Sequence, residues 1–344
     1  MSEKYRNFAR ILDYISHNHH FHRDAMTNKE EYRQFCKDTP LLPIFMQDWW
    51  LDAVCAGKQW DVLLTKDEQG RILAATPYLL RKRAWTRYII MPQMTQIAGP
   101  WLTPLAQQDA SYALDACDNL AQQLSALDIA YYYQHYAIDS PVVPHMEMLG
   151  FKVKERTTYR IEDLSNLDGV IESFSKNKKR QLQKALSLHA DHALHVEDFY
   201  RFHTACLLER GKQISYSREF LLVLERKTKR LEQSAIIGIR NADDMLLAAA
   251  FVVWDKTSLY YLIPCYSEAH KNSGASALLV LECIKLARQL GVAFDFEGSM
   301  VSGIANHYKQ FGSTATTYYS VEKYYKWWFR LAIFWNWIKG RKMR

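Results

Sequence analysis

Three side chains that can move protons lie in one short stretch, FDFEGSMVSGIANHYKQFGS (294–313): Asp295, Glu297 and Tyr308. Residues two apart in an extended chain share a face, so a strand here projects Asp295 and Glu297 together, about 7 Å apart. Phe294 and Phe296 then point to the opposite, core-facing side. Gly298 breaks the strand, and Ser299 or Ser302 opens a short helix carrying Tyr308. A carboxylate at the strand end can act as a general base and a tyrosine hydroxyl as a proton donor, the pair of roles that acid–base catalysis of a group transfer requires. The competing reading gives the carboxylates to helix caps or lysine pairs and Tyr308 to the core.

Two further groups suit phosphate. Lys271-Asn272-Ser273-Gly274-Ala275-Ser276 stands at a predicted helix start, where free N–H groups and the helix dipole attract an anion. Gly274 would admit a phosphate close to the backbone, Lys271 would add charge, and Ser276 lies in the first turn. The same residues also describe an ordinary helix start capped by Ser273 or Ser276. In SKNKKRQLQKA, Lys176, Arg180 and Lys184 fall at i, i+4 and i+8 on one stripe, with Lys178 and Lys179 beside it. Phe174, Leu182 and Ala185 take the buried side. The stripe suits the phosphate of a donor or an acceptor, and equally a solvated face.

The elements that must position these residues are legible from periodicity. Thr27 with Glu30 forms a capping-box pattern ahead of EYRQFCKD. WDVLLTKDEQGRILAATPYLLRK predicts a hairpin, DASYALDACDNLAQQLSA a helix, IAYYYQHYAI an aromatic strand, and HMEMLGFKVKERTTYRIED a short helix and a strand. From 166 a similar order returns: a basic amphipathic helix over 167–190, two helices in 197–231, three strands in 234–267, a helix ending at Gly291, then strand, helix and strand. Leu73-Ala74-Ala75 matches Leu247-Ala248-Ala249, and Leu149-Gly150 matches Phe311-Gly312. A loose repeat of this length predicts two copies of one α+β domain.

A strand, a glycine-opened helix, a second strand and a short helix with a tyrosine before Phe-Gly resemble the GNAT acyltransferase fold. The tandem arrangement, with PIFMQDWWLDAV early in the first copy and FSKNKKRQLQKA early in the second, resembles its Fem-type (FemABX-like) branch over roughly residues 27–325. The resemblance implies two tandem GNAT-like domains, each a mixed, mostly antiparallel sheet flanked by helices. It implies acyl or aminoacyl transfer to an amine, with acyl-CoA, an acyl carrier or aminoacyl-tRNA as co-substrate and no tightly bound cofactor or metal. It places Glu297, Asp295 and Tyr308 in catalysis, Lys271, Gly274 and Ser276 at the donor, and Lys176, Lys179, Arg180 and Lys184 at a phosphate-bearing donor or acceptor. Lys271 and Ser276 depart from the Q/R-x-x-G-x-G/A donor pattern, which leaves the donor open.

The predicted divisions are an N-terminal extension (1–26), a first, degenerate copy on the acceptor side (27–165), a second, catalytic copy (166–325) and a tail (326–344). Four histidines (His17, His19, His20, His22) mark the extension, as a polar tract or a metal-binding one. Residues 1–25 hold no apolar run of signal-peptide type. The six cysteines are scattered without a C-x-x-C pair, as expected of reduced thiols in a cytoplasmic protein. Of the net charge of +7, six units fall in residues 321–344, interleaved with eight aromatic residues. Nucleic acid is therefore expected only as a tRNA donor carrier, and the tail predicts contact with the inner face of an anionic membrane. A catalytically inactive protein holding a phosphate-bearing lipid or cell-wall precursor is the alternative function.

Overall fold

The computed structural model of the chain describes residues 26–55, 60–83, 85–298 and 300–331. The histidine tract and residues 332–344 of the tail lie outside the described residues.

The first copy runs α1 (Asn28–Asp38), α2 (Asp48–Val54), β1 (Trp60–Lys66), β2 (Ile72–Arg83), β3 (Thr86–Ile90), a short β4 (Trp101–Leu102), α3 (Pro104–Gln107), α4 (Ala110–Ala126), β5 (Tyr131–Tyr136), α5 (Val143–Met148) and β6 (Lys152–Ile161). The second runs α6 (Leu167–Ser173), α7 (Lys176–Lys184), β7 (His189–Asp191), α8 (Val196–Leu208), α9 (Arg218–Arg230), β8 (Ser234–Arg240), β9 (Leu246–Trp254), β10 (Ser258–Tyr266), α10 (Ala275–Leu290), β11 (Ala293–Asp295), α11 (Ser302–Lys309) and β12 (Thr314–Tyr324). The Thr27–Glu30 capping box at α1 is formed in both directions.

The repeat is real in three dimensions. β3 pairs parallel to β5 after the α4 crossover, and β10 pairs parallel to β11 after α10. Gly150 and Gly312, the matched glycines, both take left-handed backbone (φ +77° and +73°) between a short helix and the last strand of their copy. The last strands, however, are exchanged. β6 of the first copy pairs with β11 of the second, and β12 of the second pairs with β5 of the first. β6 and β12 pair with each other antiparallel from Thr314–Arg160 to Glu322–Lys152. The result is one continuous sheet in the order β1-β2-β3-β5-β12-β6-β11-β10-β9-β8-β7, with β4 beside β2. A division of the chain near residue 165 follows the repeat but does not divide the sheet.

One face of the sheet is covered separately in each half. Leu120 and Leu124 of α4 pack on Tyr132 and Tyr136, while Leu281 and Ile284 of α10 share a cluster with Phe294, Phe296 and Phe311. On the other face α1, α2, α8 and α9 of both copies meet in a single core that includes Phe45, Trp50, Phe199, Leu221 and Tyr260. Asp255 fastens the copies there. Its carboxylate accepts from Ile44 N of the first copy (3.1 Å), and from Tyr260 Oη (3.1 Å), Thr257 N (2.8 Å) and Ser258 N (3.0 Å) of the second.

Two expectations need correction. The basic helix of 167–190 is two helices, because Ser175 leaves helical geometry and caps α7 by accepting from Lys178 N. The stretch from 326 is not wholly a separate tail either. Phe329 is buried against Tyr88 and Tyr131, with ring centroids 5.4 and 5.7 Å away. Among the described residues, no helix is long and apolar enough to cross a membrane, all six cysteines are free and buried, and no cluster of His, Cys, Asp and Glu is placed to hold a metal ion.

Candidate active site

The central strands β5, β12, β6 and β11 carry polar side chains toward the face that both copies share. Alternation decides this: Tyr159 and Ile161 of β6 face the core, so Arg156, Thr158 and Arg160 face the other way. Asp295 of β11 stands opposite Arg160 and is fully buried. Asp295 Oδ1 accepts from Thr158 Oγ1 at 2.5 Å, from Glu297 N at 2.7 Å and from Gln96 Nε2 at 3.4 Å, while Arg160 lies 3.5 Å from Oδ2. Burial raises the Asp295 carboxyl above the usual carboxylate range, and the Thr158, Arg160, Glu297 N and Gln96 contacts oppose that rise.

A cleft of about 160 Å³ opens beside the Thr158, Arg160 and Gln96 side chains that contact this carboxylate. Pro43, Gln96, Ile97 and Tyr318 line it together with Thr158, Arg160, Thr257 and Tyr260, so both copies contribute. Arg156 Nε donates to Tyr318 Oη at 3.1 Å. His135 borders the same region: its Nδ1 lies 2.9 Å from Gln96 O, and its ring centroid is 5.5 Å from that of Tyr318. Burial, with the nearby Arg156 charge, lowers His135 to about 4, so it is neutral at physiological pH.

Glu297 departs from the predicted strand alternation. β11 ends at Asp295, and Glu297 takes left-handed backbone at φ +63°. A non-glycine residue there is strained and marks sites where the surroundings dictate the conformation. Its carboxyl is enclosed, and Oε1 accepts no hydrogen bond among the described residues. Burial first, then the charge on Asp295, push Glu297 well above the usual range. Of these two close carboxylates, Asp295 is the one whose negative charge is opposed least, because Thr158, Glu297 N, Gln96 and Arg160 surround it.

The predicted residues are only partly brought together. Asp295 and Glu297 are joined by the bond from Glu297 N to Asp295 Oδ1; neither lines the cleft, and Asp295 reaches it through Thr158 and Arg160. Tyr308 stacks on Phe296 (4.4 Å) near Tyr159, on the α11 side of the sheet, and is absent from the cleft lining. Burial and then the Glu297 charge push its hydroxyl up to about 12.

The donor reading of Gly274 changes its physical basis. Gly274 has φ +86°, and a Cβ there would stand 2.1 Å from the Gln181 carbonyl oxygen of α7. The glycine thus admits a neighbouring helix. Lys271 is exposed and paired with Glu268 at 2.7 Å; Ser276 is half-buried in the first turn of α10. On α7, Lys176, Lys179, Arg180 and Lys184 are exposed as expected. Lys178 is not: it is 2% exposed, its Nζ 3.0 Å from His307 Nδ1 and 3.2 Å from Gln181 Oε1, over the Phe311 ring. Burial lowers it to about 8. The helical stripe missed this because Lys178 points between α7 and α11.

Sequence reasoning also missed Thr158, Arg160, Gln96, His135 and Tyr318. Their shared face was readable within each strand, but their meeting depends on the exchange of β6 and β12.

Comparison with known proteins agrees with this architecture. Residues 160–310 match the family model described as an acetyltransferase (GNAT) domain. No curated protein sequence matches the chain. Among solved structures, FemX superposes with a TM-score of 0.65 at 12% identity, covering 86% of this chain and 96% of FemX. L-PGS from Bacillus licheniformis gives 0.51 at 11% identity, over 94% of this chain and all of that one. A tandem GNAT protein from the clavulanic acid biosynthesis pathway gives 0.50 at 12% identity, over 80% and 94%. At such identities these three show shared fold. Residues 160–310 thus resemble a GNAT domain, and the chain shares its overall fold with FemX.

Proposed function

We propose that the protein transfers an acyl or aminoacyl group from an activated donor to an amine, with the reaction centred in the cleft between the copies. The observation that carries this reading is the Asp295 carboxylate, fully buried yet joined to the cleft by the 2.5 Å bond from Thr158 Oγ1. The amine nitrogen attacks the acyl carbon. Its proton passes to Thr158 Oγ1 as the Thr158 proton passes to Asp295. The bond from the acyl carbon to the donor oxygen or sulfur then breaks, and Asp295, through Thr158, returns the proton to that leaving atom. Arg160 and Arg156 supply positive charge beside the developing oxyanion. Burial favours the protonated form of Glu297, which leaves the charge to Asp295. A phosphate-bearing donor or acceptor would lie along Lys176, Arg180 and Lys184, outside the contact between α7 and Gly274.

The test is turnover by Asp295→Asn and Thr158→Val, with acetyl-CoA and with aminoacyl-tRNA, against a panel of primary amines. Each change should lower turnover by about 10²-fold, with unchanged far-UV circular dichroism. Wild-type turnover in Asp295→Asn would remove Asp295 from the reaction.

A second reading, a binding protein without turnover, is favoured by one observation: the Gln181 carbonyl occupies the space that Gly274 would offer a phosphate. It predicts ligand retention in the cleft with no consumption of any donor.

A further inference from the structure

The β2–β3 hairpin ends on an exposed tryptophan. Trp85 is 77% exposed, and the cations Lys82, Arg83 and Arg87 stand on the paired positions just behind it. The chain returns to this tip after β12. Trp328 meets the Trp85 ring at 4.8 Å, and Phe329 anchors the segment on Tyr88 and Tyr131. With Phe329 held inward, Trp327 and Leu331, four residues apart in a helical turn, face outward at 76% and 52% exposure. Lys326 and Arg330 flank them. Among the described residues, Asp128 pairs with Lys326 at 3.2 Å.

We propose that Trp85, Trp327 and Leu331 form one surface that docks on an anionic phospholipid bilayer. Two segments far apart in sequence present large apolar side chains on the same side of the molecule, and neither is covered by the rest of the described chain. Around them stand Lys82, Arg83, Arg87, Lys326 and Arg330. Tryptophan with flanking cations is the composition that inserts at the headgroup boundary: the indole body enters the acyl region, its N–H stays hydrated, and the cations meet lipid phosphates. Charge complementarity selects an anionic bilayer over a neutral one. A second copy of the same basic patch would be repelled. The residues that follow, 332–344, continue the composition with Phe334, Trp335, Trp337 and four cations.

The surface also has a route to the cleft. Along one face of β5 the ring centroids of Phe329, Tyr131, Tyr133 and His135 follow at 5.7, 6.3 and 5.3 Å, and Tyr318, which lines the cleft, lies 5.5 Å beyond. Docking and cleft therefore share one side of the sheet. The proposal does not depend on the reaction proposed above.

The experiment is co-sedimentation of the full chain with vesicles of phosphatidylcholine containing or lacking phosphatidylglycerol, read together with tryptophan emission. The wild type should bind the anionic vesicles with a blue shift, more weakly at high salt, and bind the neutral ones poorly. The pair Trp85→Ser with Trp327→Ser should lower partitioning about tenfold or more. Lys82→Glu with Arg83→Glu should lower anionic binding and flatten its salt dependence. All these side chains are exposed, so melting temperatures should stay within a degree or two of wild type. Three results would overturn the proposal. One is no vesicle binding by the wild type at low salt. Another is equal binding by the tryptophan pair. The third is binding that appears only after removal of 332–344, which would assign the patch to the chain's own last residues.

Discussion

Gly274→Ala separates a packing glycine from a ligand-binding one. The left-handed backbone at φ +86° costs an L-residue about 1–2 kcal/mol by itself. The new methyl adds a collision with backbone, which cannot rotate away. Ordinary contact begins near 3.4 Å and the Gln181 oxygen stands at 2.1 Å, so α7 must retreat by about 1.3 Å. Ala185 Cβ, at 3.1 Å, blocks the neighbouring direction. Overpacking of this kind costs about 1–3 kcal/mol, which brings the total to roughly 2–5 kcal/mol. Urea unfolding at constant slope is the assay. Gly303→Ala, in α11 with open space around the new methyl, is the control and should gain up to about 1 kcal/mol. A loss below about 1 kcal/mol for Gly274→Ala would refute the packing argument. If donor binding also vanished, the glycine would be restored to the phosphate role first read from its position.

Two other perturbations follow from buried carboxylates. Glu297 has its affinity for protons raised in the fold, so the folded state binds more protons than the unfolded one above the ordinary carboxylate range. Its contribution to stability is complete at low pH and is lost as pH rises through the raised value. Glu297→Gln should therefore flatten the fall of stability with rising pH, measured by urea unfolding between pH 5 and pH 8. An unchanged slope would mean that Glu297 does not hold its proton in the fold. Asp255→Ala leaves Ile44 N, Ser258 N and Tyr260 Oη without their acceptor between the copies. It should cost roughly 3–5 kcal/mol, and a melting temperature within two degrees of wild type would show that water replaces the carboxylate.

Much was legible in the residues themselves, because it rests on interactions a few positions long. The Thr27–Glu30 cap, the β1–β2 hairpin, the helix end at Gly291 and the apolar spacing of α10 are local, and each formed where the pattern placed it. So was the repeat, since matching strands need matching apolar runs. Asp295 at the end of β11 was also legible as a charged residue in an apolar strand, whereas Glu297 lies beyond the strand in left-handed backbone.

What the sequence could not contain is the partner of each strand. The pairing of β12 with β5 and of β6 with β11 joins residues up to 193 positions apart, as Tyr131 and Tyr324 show. Strand periodicity specifies a face and leaves the neighbour free. That exchange alone brings Thr158 and Arg160 to Asp295 and Tyr318 to the cleft. It also decides burial. Lys178 and Lys176 carry the same side chain on the same helix, yet the packing of α11 encloses one and leaves the other in water. Gly274 read as room for a ligand until the fold laid α7 across it, because free space around a backbone is a property of its neighbours in three dimensions.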